Sequence, residues 1–89
     1  MDEKFRILTD AVVEIMQCDI SELEMETSFE KDLGADSLDA YQILLRVQDM
    51  IGKELPIEQV ESVKTLEDAY NLIVMTCEKE ETDQEAGGA

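Results

Sequence analysis

Histidine and tryptophan are absent from this chain of 89 residues, and there are only one proline, two cysteines and four glycines. Without histidine the chain lacks both the usual general base near neutral pH and the commonest metal ligand, so a self-contained Ser-His nucleophile is excluded. Cys18 and Cys77 are too few and too far apart for a disulfide framework or a four-ligand zinc site, and are expected as buried free thiols. Aromatic residues make up 4% of the chain, which leaves an aliphatic core of Leu, Ile, Val and Met that adapts rather than interlocks. Bases are scarce: seven stand against 23 acids, for a formal charge of −16. That sign disfavours nucleic acid and anionic membrane surfaces, favours basic partner surfaces, and makes the fold repel itself. Moderate salt or divalent cations should therefore raise the melting temperature, which a melting curve recorded against ionic strength will measure. No apolar run reaches the roughly 18 residues needed to span a membrane. The opening MDEKFRILTD lacks the order of a signal peptide, a basic region and then an apolar one, so a cytoplasmic protein is expected.

What is present is helical periodicity in a chain long enough for one small domain. Phe5, Leu8, Val12, Ile15 and Met16 recur at the spacing of a first amphipathic helix. Residues 19 to 36 carry seven acids against Lys31 alone and read as a long ordered loop, pinned to the core by Phe29 and Leu33. A second helix should start at Asp36 or Ser37 and end near Ile51, before Gly52. Leu38, Tyr41, Leu44, Val47 and Ile51 would lie along one side of it, with Leu38 and Leu45 nearest the surface. Pro56 can open a short third helix of at most two turns, with Val60 and Val63 facing inward. Thr65 and Asp68 are spaced as a capping box ahead of a last stripe of Leu66, Ala69, Tyr70, Ile73 and Cys77. Residues 78 to 89, EKEETDQEAGGA, have the composition of a flexible acidic tail.

The stretch DLGADSLDAY, residues 32 to 41, has two readings. Asp36 and Asp39 together make a helix start, since Asp36 can accept from exposed N–H groups and both acids oppose the positive end of the helix dipole. On that reading Ser37 is an ordinary first-turn residue. It also sits at the seam between loop and helix, behind Gly34 and Ala35, where open space and free N–H groups would tolerate a phosphoryl-linked group.

TSFEKDLGADSLDAYQILLRVQDMIGKELP, followed by TLEDAYNLI, resembles the acyl carrier proteins from about Phe5 to about Val74. The resemblance implies an all-α, small four-helix bundle of three main helices and one short one, with residues 1–77 as the carrier domain and 78–89 as the tail. It implies that a phosphopantetheinyl transferase moves 4′-phosphopantetheine from coenzyme A onto Ser37, and that acyl groups ride on the arm as thioesters. Asp36, Leu38, Asp39 and Leu45 match family positions read by the transferase and by acyl-transfer, ligase or synthase enzymes with basic docking surfaces. The chain would then be a carrier and not an enzyme, expected as a monomer, because a lone serine without a base is a poor nucleophile and the thioester chemistry belongs to the cofactor.

The second helix departs from the pattern of fatty-acid carriers. Gln42 stands where Glu is common, Gln48, Asp49 and Met50 replace a run of acids, and Arg46 adds a positive charge. From Ser37 to Ile51 two acids face one arginine, a net of −1 in a chain of −16. A carrier serving a specialised pathway is thus as compatible as a general fatty-acid carrier. An aminoacyl or peptidyl carrier and an unmodified acidic interaction protein stay open as alternatives. A calcium-binding EF-hand loop does not: counted from Asp32, its sixth residue would be Ser37 instead of Gly and its twelfth Ile43 instead of Glu.

Overall fold

The computed structural model describes the backbone of residues 3–88 and the side chains of residues 3–78. Three α-helices, α1 (Glu3–Met16), α2 (Ser37–Ile51) and α3 (Leu66–Gly88), are joined by a 3-10 turn at Ile20–Glu22 and a short 3-10 helix at Ile57–Ser62. The fold is a small all-α bundle, with no strand among the described residues. The domain boundary expected at residue 78 falls within the span of α3, and side chains 79–89 of the expected tail lie outside the described residues.

The helix ends are fixed by local chemistry. Asp36, in an extended conformation, accepts from the Asp39 N–H at 2.9 Å, and the Asp39 carboxylate accepts from the Asp36 N–H at 3.3 Å. This reciprocal box sets Ser37 as the first helical residue. Gly52, in the left-handed region at φ 69°, closes α2 by donating its N–H to the Gln48 carbonyl at 2.8 Å. The Gln48 side chain then accepts from the Leu55 N–H at 2.8 Å, tying the descending chain to the helix it has left. The expected box before α3 is also formed. Asp68 accepts from the N–H groups of Lys64 and Thr65 at 2.9 and 3.1 Å, while Thr65 Oγ1 accepts from the Asp68 N–H at 3.3 Å.

Leu8 and Val12 of α1, Ile43, Leu44 and Val47 of α2, and Leu66 and Ile73 of α3 are fully buried at the centre. Burying each stabilises the fold by about 1.5–3 kcal/mol. Phe5 meets Tyr70 edge to face, with centroids 5.9 Å apart. The long loop is held more firmly than its acids suggest. Besides Phe29 and Leu33 it packs Leu23 and Thr27 inward, and the Thr27 carbonyl accepts from the Leu66 N–H at 3.0 Å. An isolated antiparallel bridge joins Ser28 to Thr65.

Three expectations need correction. The buried face of α2 is Ala40, Ile43, Leu44 and Val47, whereas Leu38 and Tyr41 point outward. Leu44 and Val47 belong to both candidate stripes; Leu38 and Tyr41 are the larger side chains, but Ala40 lies on the inward face, where its small size lets the helix pack closely. In α3, likewise, Leu72 is buried while Tyr70 and Cys77 are half-buried. The thiols of Cys18 and Cys77 are free but only half-buried.

Candidate functional site

Ser37 stands at the first turn of α2 with its side chain exposed, and its hydroxyl makes no hydrogen bond among the described residues. It has neither a base to activate it nor a partner to lose. Gly34, at φ 66°, turns the chain just before the site, and a Cβ there would meet nothing within 4 Å. Its need is conformational rather than steric: the left-handed backbone favours glycine. Ala35 does not leave the approach open, as its sequence position suggested, but is buried, its N–H donated to the Phe29 carbonyl at 2.7 Å.

Of the other candidate residues, Asp36 is exposed and Asp39 half-buried, each engaged in the capping box. Leu38 and Leu45 are 64% and 38% exposed, and Tyr41 is 40% exposed. At positions i, i+3 and i+7 these three form one apolar stripe that runs down α2 from Ser37. Arg46, which looked like a cation added to this helix, is committed elsewhere: its Nε meets Glu14 of α1 at 2.5 Å and its Nη1 lies 3.8 Å from Asp49. The ridge beside Ser37 is therefore mainly apolar, with the two capping acids at its head.

On the other side of Ser37 a cleft of about 530 Å³ opens between α2, the long loop and the short 3-10 helix. Phe29, Ala40, Val60 and Val63 line it apolarly, and Lys31 and Lys64 also border it. The sequence marked Phe29, Val60 and Val63 as core, but without the orientation of α2 nothing joined them to Ser37. A second cavity of about 400 Å³, bordered by Cys18, Glu22, Glu24 and Glu26, shares no residue with this cleft. There partial burial, reinforced by the charges of Glu22 and Asp19, pushes the Cys18 thiol up, away from the reactive thiolate. Among the described residues no group of His, Cys, Asp and Glu could hold a metal ion, and no helix is long and apolar enough to cross a membrane.

Ser37 is thus an exposed serine without a hydrogen-bond partner among the described residues, at a capped helix start, in a chain without histidine. Comparison with known proteins gives the family. Residues 6–73 match the family described as phosphopantetheine attachment site, a span that includes Ser37. Over 73 residues, 82% of the chain and 94% of the relative, it is 32% identical to the acyl carrier protein of Treponema denticola. It is 34% identical over the same length to that of Treponema pallidum subsp. pallidum, again covering 94% of the relative. The chain belongs to the acyl carrier protein family; it is a carrier rather than a catalyst, and its prosthetic group is 4′-phosphopantetheine. Its partners accordingly include a phosphopantetheinyl transferase and acyl-handling enzymes.

Proposed function

We propose that Ser37 is the attachment point of the 4′-phosphopantetheine arm and that the chain delivers acyl thioesters to cytoplasmic enzymes docking along α2. The observation that carries this reading is the free, exposed Ser37 hydroxyl, held at a fixed helix start beside an apolar-lined cleft. During loading the Ser37 oxygen bonds to phosphorus, the phosphorus–oxygen bond to the nucleotide half of coenzyme A breaks, and the hydroxyl proton leaves to a base of the transferase. The chain has no histidine to take that proton. Once bound, the arm supplies a terminal thiol for thioester chemistry. Tethering raises the effective concentration of the cargo at each docked active site.

Residues 1–77 form the carrier unit on this reading, and the cleft shelters the proximal part of an acyl chain against Phe29, Val60 and Val63. Partner enzymes read Asp36 and Asp39 at the head of α2 and the apolar residues Leu38 and Leu45 further along. With Gln42 uncharged and Arg46 tied to Glu14, that surface offers little to a purely basic docking patch. This favours a dedicated pathway whose enzymes bind the apolar ridge over the general fatty-acid pathway. Incubation with coenzyme A and a broad-specificity phosphopantetheinyl transferase, followed by intact-mass measurement, tests the assignment. One added phosphopantetheine group per chain is expected; a chain that stays unmodified refutes the proposal.

A further inference from the structure

Lysine is rare in this chain and acids are everywhere, with 23 acids against seven bases. Lys31 and Lys64 have ample choice of partner, yet neither makes an ion pair among the described residues. Both border the cleft that Ser37 borders, and they stay unpaired although Glu30 and Glu61 line the same cleft. Their backbones are held in place. The Lys31 N–H donates to Ser28 Oγ at 3.1 Å, the Lys64 carbonyl accepts from the Phe29 N–H at 3.0 Å, and the Ser28–Thr65 bridge holds the two segments side by side.

We infer that Lys31 and Lys64 are positioning residues for the phosphodiester formed when the arm is attached, an inference that rests on attachment at Ser37. Esterifying the serine oxygen with a phosphoryl-linked arm adds one negative charge at that oxygen. In a chain already at −16 the added charge is unfavourable unless cations stand close by. Asp36 stands at the head of both sides of Ser37; the α2 ridge adds Asp39 and apolar side chains, whereas the cleft, although Glu30 and Glu61 also border it, is the side that holds the unpaired Lys31 and Lys64. Charge-assisted contacts to phosphate oxygens from Lys31 and Lys64 draw the root of the arm over the cleft mouth. Apolar cargo is thereby aimed at Phe29, Val60 and Val63, and the Leu38–Leu45 ridge stays clear for partners. A lysine serves here as a point charge, so arginine can replace it.

The test compares apo and holo forms of the wild type, K31Q/K64Q, K31R/K64R and R6Q, with the modification state of each verified by intact mass. R6Q removes an exposed α1 cation outside the cleft and controls for one of the two charges that K31Q/K64Q removes. At low salt the holo-minus-apo melting temperature of K31Q/K64Q should fall below that of the wild type by about 2–4 °C. K31R/K64R and R6Q should keep the wild-type difference, and the gap should close in concentrated salt. The phosphorus NMR resonance of the holo protein should move in K31Q/K64Q alone. The unacylated arm has no carboxylate, so the holo form probes the phosphodiester itself. Equal holo-minus-apo differences in K31Q/K64Q and the wild type, or an effect seen only with a carboxylate-bearing acyl group, would overturn the inference. A wild type that takes up no arm is recognised in its mass and overturns the attachment reading together with this one.

Discussion

Ser37→Ala should remain folded and take up no phosphopantetheine under conditions that modify the wild type completely. The side chain is exposed, makes no hydrogen bond among the described residues, and is not the helix cap, so its removal costs less than about 0.5 kcal/mol. Alanine is also the better helix former at that position. The neighbouring Asp36→Ala should lose stability while keeping the attachment oxygen, and its loading should slow because, on the proposed reading, the transferase reads Asp36. The substitution removes the acceptor for the Asp39 N–H and breaks the reciprocal box, for a loss of about 1 kcal/mol, yet it leaves the Ser37 oxygen available. Urea unfolding of both variants beside intact-mass measurement separates the two roles. A Ser37→Ala protein that still gains the arm would move the attachment site elsewhere. One that unfolds would show that Ser37 has a structural part the exposed hydroxyl does not reveal.

How far this site could be read in the sequence depended on whether its determinants were local. The start of α2 was legible because a capping box is a four-residue device, and Asp36 and Asp39 fulfil it without help from the rest of the chain. Thr65 and Asp68 were legible for the same reason, and Gly52 as a helix stop likewise. The rotation of α2 was not. Its sequence holds two overlapping apolar stripes, and which of them faces inward is decided by α1 and the short 3-10 helix packing against it, a tertiary fact. The cleft was hidden for a related reason. Phe29 comes from the loop, Ala40 from α2, and Val60 and Val63 from the short helix and its end, and only the closed bundle brings them beside Ser37. Thr27 gave no signal at all: a polar residue between Glu26 and Ser28, it is buried because its backbone meets the start of α3.

The charge pattern acquires a sharper meaning once α2 is oriented. Counted along the sequence, Arg46 weakens the acidity of the helix, but in space it is spent on Glu14 and Asp49. A pair this exposed adds about 0.2–1 kcal/mol at most. Its larger consequence is that the outward surface presents side chains of Leu38, Tyr41 and Leu45 more than it presents charge. Contacts of that kind govern how long a complex lasts, whereas the acids elsewhere in the chain speed its formation and lose effect as salt rises.

Adjacent leucines make the second large prediction. Leu44 is 0% exposed and Leu45 38% exposed, so the same substitution should have two different outcomes. Leu44→Ala removes buried methyl groups from the seam between the helices and should cost about 2–5 kcal/mol, the lost burial plus the cavity left behind. A domain this small sits toward the low end of the usual range of about 5–15 kcal/mol, so the variant should lose a large share of its stability. Leu45→Ala leaves no cavity and should cost less than about 1 kcal/mol. It should still accept the arm, while transfer from its acyl thioester to a cognate enzyme slows through weaker docking, read as a raised KM with kcat little changed. Denaturant titration measures the first pair of effects, and steady-state kinetics with the carrier as the varied substrate measures the second. Equal destabilisation by the two substitutions would mean that α2 is rotated from the orientation described here. A stable Leu45→Ala carrier with unaltered KM would remove this part of the ridge from the docking surface, leaving recognition to Asp36, Leu38 and Asp39 at the head of the helix.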